Sequence, residues 1–140
     1  MDTRRLTLEQ AHQLLDEYQS DFGLLDWTLR LDILRRAAIP KTNALVAVTE
    51  AKREACISLL HADDYPAAAM TQQDMEVDLA HEAVHVALAP FLRCRRGSHK
   101  DIVQEQAVHA ISTAYVALKR EVRTLRAENQ LLRARRKKAA

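Results

Sequence analysis

Two histidines four residues apart stand in the run His81-Glu82-Ala83-Val84-His85. On a helix, residues at i and i+4 share one face about a turn apart, so both imidazoles can reach a single metal ion at roughly 2.0–2.1 Å. Glu82 lies beside them, where it can address a water on that ion. In this arrangement zinc lowers the pKa of its water toward about 7, and the carboxylate takes the proton as the water attacks a carbonyl. The flanking Leu79, Ala80, Ala83, Val84, Val86 and Ala87 are uncharged, as a buried helix carrying such a site requires. Asp78 is the exception, and either orients a ligand histidine or faces solvent. The competing reading, two histidines on a polar face with nothing bound, sits poorly with these apolar surroundings.

A catalytic zinc takes three protein ligands and keeps one position open. The metzincin continuation would need glycine and histidine where the chain has Leu88 and Phe91, so that group is excluded. Glu105 follows on the next helical segment, and the connector is long enough for that segment to pack beside the first. It is the expected third ligand, in a His, His, Glu sphere. Asp101, His99 and His109 are its rivals. His109, one turn beyond Glu105, can also support the site from outside the sphere or act as an electrophile.

These residues need elements to hold them. A chain of 140 residues with 48% hydrophobic and 4% aromatic residues and only two glycines suits one helix-rich domain and disfavours an all-β sandwich. Thr7 to about Phe22 reads as a helix, with Leu8, Ala11, Leu14, Leu15 and Tyr18 at helical spacing and a Thr7/Gln10 capping box. The alternation Trp27, Leu29, Leu31, Ile33 predicts a half-buried strand, and Ala44 to Val48 and Glu54 to Leu60 predict two more beyond Pro40. The expectation is a small, mainly antiparallel three-stranded sheet. A loop from His61 to Ala69 follows, then a helix capped by Thr71 and ended near Pro90. After a connector over Arg93 to Lys100, helical pattern runs from Asp101 to about Arg135. The fold class is α+β, with residues 1–118 as the domain and 119–140 as a basic helical extension.

The order of helix, Trp27 strand, strand pair, H-E-x-x-H helix and Glu105 helix resembles the minimal gluzincin-type zinc metallopeptidase core of Spartan- and SprT-like proteins and small phage or prophage relatives. The resemblance spans roughly residues 20 to 118. It implies that the strand Ala55 to Leu60 is a sheet edge able to pair with an extended substrate. Such relatives typically carry a third histidine ligand, where this chain offers Glu105.

On the last helix, Tyr115, Leu118, Val122, Leu125, Asn129 and Leu132 form an a/d heptad seam with asparagine at an a position, which calls for a partner helix and admits a homodimer through residues 115–132. The tail from Arg133 to Lys138 carries five positive charges and no acid in a chain of net charge +2, so nonspecific nucleic-acid binding is open to it, while the body is near neutral. Cys56 and Cys94 form no C-x-x-C pair, and no run approaches membrane-spanning length, which points to a reducing, cytoplasmic setting with no membrane partner. Two functions follow. One is a zinc-dependent peptidase in which His81, His85 and Glu105 hold the metal and Glu82 is the general base acting on a protein or peptide. The other is a catalytically inactive, zinc-stabilised dimeric interaction protein working through its coiled coil and basic tail.

Overall fold

The computed structural model describes residues 4–67, 72–91 and 96–139. It is α+β: three helices on a three-stranded mixed sheet. Helix α1 (Leu8–Asp21) starts on the expected box, with Thr7 Oγ1 accepting from the Gln10 amide at 3.2 Å and Gln10 Oε1 accepting from the Thr7 amide at 3.0 Å. Its Ala11, Leu14, Leu15 and Tyr18 are buried, while Leu8 faces outward.

Strands β1 (Thr28–Leu34), β2 (Ala44–Thr49) and β3 (Glu54–Leu60) are close to their expected bounds. β3 lies in the middle, parallel to β1 and antiparallel to β2, so the sheet is mixed rather than mainly antiparallel. The burial explains the order: Ile57 to Leu60 is buried at four successive residues, as a central strand demands, whereas β2 alternates as an edge does. Ala55 to Leu60 is therefore not a sheet edge. β1 alternates, with Leu29, Leu31 and Ile33 turned to the core, while Trp27, one residue before the strand, packs with Leu24, Ala55 and Val86. The tight β2–β3 link runs through a 3₁₀ turn at Glu50–Lys52 and Arg53 at φ 51.

Thr71 lies outside the described residues. Helix α2 (Met75–Leu88) begins on Asp74, whose carboxylate accepts from the Val77 amide at 3.3 Å. Helix α3 (His99–Ala139) is one uninterrupted run of 41 residues. It opens on a second reciprocal cap: Ser98 Oγ accepts from the Asp101 amide, and the Asp101 carboxylate accepts from the Gly97 amide at 2.7 Å, with Gly97 at φ 75. The main core joins α1, the inner sheet face, α2 and Val116 of α3. Among the described residues, no helix is long and apolar enough to cross a membrane.

Candidate metal centre

The two histidines stand in the middle of α2 because the helix is buried there on nearly every side. Leu79, Ala80, Ala83 and Val86 are inaccessible, and the alanines let neighbouring elements come close. His81 and His85 occupy the one face left half-exposed, toward the start of α3. Helix α3 runs antiparallel to α2, so Glu105 comes opposite His81 and His85 while Arg120 comes opposite Asp74 and Glu76.

The side chains converge. His81 Nε2 and His85 Nε2 are 3.0 Å apart, and Glu105 places Oε2 at 3.3 Å from the first and Oε1 at 3.2 Å from the second. All three ligand atoms lie within 4.8 Å of one another, so the group could hold a metal ion. Donors about 2.1 Å from a shared tetrahedral ion stand about 3.4 Å from each other, which is close to these separations. Burial and the neighbouring His85 both depress the His81 pKa, which favours the neutral imidazole that a metal requires.

Glu82 lines the same cleft, 7% exposed. Burial pushes its carboxyl up to about 8, with the charges of Glu105 and Asp78 adding to the rise. The cleft holds about 560 Å³, with the α2 residues on one wall and Ala44, Val46 and Val48 of the edge strand β2 on another. Arg96 and Gln104 border it as well.

The remaining expected participants have other occupations. Asp101 is engaged in the α3 cap. Asp78 accepts from Gln73 Nε2 at 2.8 Å and from the Tyr65 hydroxyl at 3.3 Å, and burial raises its carboxyl to about 6; it neither faces open solvent nor bonds a histidine. His109 is exposed, with its ring 6.4 Å from that of His81, beside the cluster but outside it. The β2 wall was not foreseen, because the resemblance assigned the substrate edge to β3. The alternation of Ala44 to Val48 against the continuous run of Ile57 to Leu60 carried the signal.

Comparison of the chain with family models, with curated proteins and with solved structures finds no match. The reading of the site rests on its own chemistry.

Proposed function

We propose that this chain is a zinc-dependent peptidase, with His81, His85 and Glu105 as metal ligands and Glu82 as general base. The observation that carries the reading is the convergence of two imidazoles and a carboxylate at ligand spacing beside a second, buried carboxylate, on the wall of an open cleft. Two imidazoles and one carboxylate are a donor set that suits zinc and leaves one coordination place for solvent or substrate. Bound there, zinc would supply Lewis-acid polarisation of a carbonyl and activation of a water.

The protein's own residues supply the rest. Glu82 accepts the proton of the attacking water on its carboxylate and returns it to the departing amine. With a dication held by His81, His85 and Glu105, the Glu82 carboxyl that burial raises would be drawn back down and ionised, able to serve as the base near neutral pH. The edge strand β2 has a strand neighbour on one side only among the described residues, so an extended peptide can pair with its other side and present its scissile bond to the cluster.

Metal content and peptide hydrolysis, measured together, test the proposal. Purified protein should hold one zinc per chain under non-chelating conditions. Glu105→Ala should weaken zinc binding by about hundredfold or more. Glu82→Gln should keep the zinc and lose peptide hydrolysis by about 10²–10⁴-fold. Wild type that holds zinc yet matches Glu82→Gln on unfolded, peptide and DNA-bound substrates would favour the zinc-stabilised interaction protein instead. Protein without stoichiometric zinc refutes both.

A further inference from the structure

Helix α3 stays tied to the body as far as Arg123. Lys119 pairs with Glu17 and Asp21, Arg120 with Asp74 and Glu76, and Arg123 with Glu17 and Glu76. From Thr124 to Lys138 every residue is exposed. Such an arm has no core of its own, yet its sequence is not that of a solvated spacer.

Ile111, Leu118, Leu125 and Leu132 recur every seven residues, and each is about half exposed, at 49%, 57%, 50% and 52%. They are the d positions of the heptad. The a positions divide differently: Val108 is buried, Tyr115 and Val122 are half-buried, and Asn129 is exposed. Tyr115 is held by the body, its hydroxyl donating to Asp21 at 2.6 Å and its ring against Tyr18 and Phe22. The seam is therefore closed to a partner above Tyr115 and open below Leu118. Arg136 takes the next a position and ends it, because a partner there would set guanidinium against guanidinium.

The charges beside the seam choose the partner. Glu121 and Glu128 hold g positions, and Arg126 and Arg133 hold e positions. When two copies lie parallel and in register, each g residue faces the e residue five positions on in the other copy. Glu121 then meets Arg126 and Glu128 meets Arg133, and symmetry doubles both pairs. An antiparallel pair sets g against g and e against e, carboxylate on carboxylate and arginine on arginine. Parallel register also brings Asn129 opposite Asn129, where the two amides can hydrogen-bond to each other.

We infer that the free arm of α3 docks against the same arm of a second copy, as a parallel, in-register two-stranded coil over residues 118–132. This interface does not depend on the metal centre or on peptidase activity. It is short, about two heptads, so assembly is weak and reversible.

Sedimentation equilibrium of the full chain tests it. The mass should rise from 15.9 kDa toward twice that value as the concentration increases. Leu125→Glu with Leu132→Glu should hold the chain monomeric while leaving its melting temperature and zinc content unchanged, since neither residue touches the body. Glu121→Arg with Glu128→Arg should weaken self-association by about tenfold or more, and mixing with Arg126→Glu, Arg133→Glu chains should restore it as a heterodimer. Orientation is read with Arg136→Cys in a Cys56→Ser, Cys94→Ser background, where a parallel pair crosslinks to itself on oxidation. A wild-type chain that stays monomeric up to roughly 1 mM overturns the inference. A dimer that is indifferent to the arm substitutions, or that fails to crosslink, overturns it equally.

Discussion

At the scale of single residues, the two carboxyls near the cluster behave unlike ordinary acids, and the cause is burial. Glu82 rises to about 8 and Asp78 to about 6, so in the metal-free protein both bind protons more tightly folded than unfolded. Stability held by such groups is complete below the unfolded pKa and is lost as pH rises through the folded one. His81 is shifted the other way, but its effect lies below its ordinary value of 6.5, which leaves the interval from about 6.5 to 8 to Glu82. With chelator present, unfolding free energy from urea titrations should fall by about 1.5 kcal/mol across that interval. Glu82→Gln should remove this slope, and a slope that persists in the variant would place the titrating group elsewhere. The histidine pair and Glu82 were legible in the sequence because i, i+4 geometry is local to one helix. Glu105 could be named from connector length. The partners of Asp78 could not, since Tyr65 and Gln73 reach it through a loop approach that no periodicity encodes.

At the scale of elements, the cluster depends on how α3 is seated on α2. A buried ionic knot sets that seating. Glu76, fully inaccessible, accepts from the Tyr18 hydroxyl at 3.0 Å and from Arg120 Nε at 2.8 Å, and pairs with Arg123 at 2.7 Å. Three helices thus meet at one carboxylate. Neutralising it takes one of two carboxylate partners from each arginine, while Arg120 keeps Asp74 and Arg123 keeps Glu17, so Glu76→Gln should cost about 1–3 kcal/mol of stability. The same variant should weaken zinc binding measurably, because it loosens the helix that carries Glu105 without touching a ligand. Zinc titration of the folded variant checks this, and unchanged affinity would show that the knot serves stability alone. The elements themselves were largely readable from periodicity and caps. Their arrangement in the sheet was not, because alternation within a strand carries no information on strand order, and the nine-residue Arg35–Asn43 connection carries the chain past the place that β3 fills.

At the scale of the whole molecule, the body and the arm obey different rules. The body is a sheet covered on one face by α1 and α2, with Arg30, Asp32, Leu45 and Thr49 on the other face exposed. The arm adds nothing to that core. A chain ended after Thr124 should therefore keep its zinc content and melt within about 2 °C of the full chain, because it loses no buried contact. Calorimetry of the truncated protein decides this, and a fall of several degrees would mean that the arm folds back on the body.

The absence of any joint in α3 has a consequence for reach. No glycine or proline interrupts the chain from His99 to Ala139, and one helix carries both Glu105 and the basic residues at its far end. At about 1.5 Å per residue, the stretch from Glu105 to Lys138 spans about 50 Å. The helix acts as a ruler. An anion bound at the tail would be held at that stand-off from the cleft, so the cleft would meet only what protrudes by the ruler's length, not the bound surface itself.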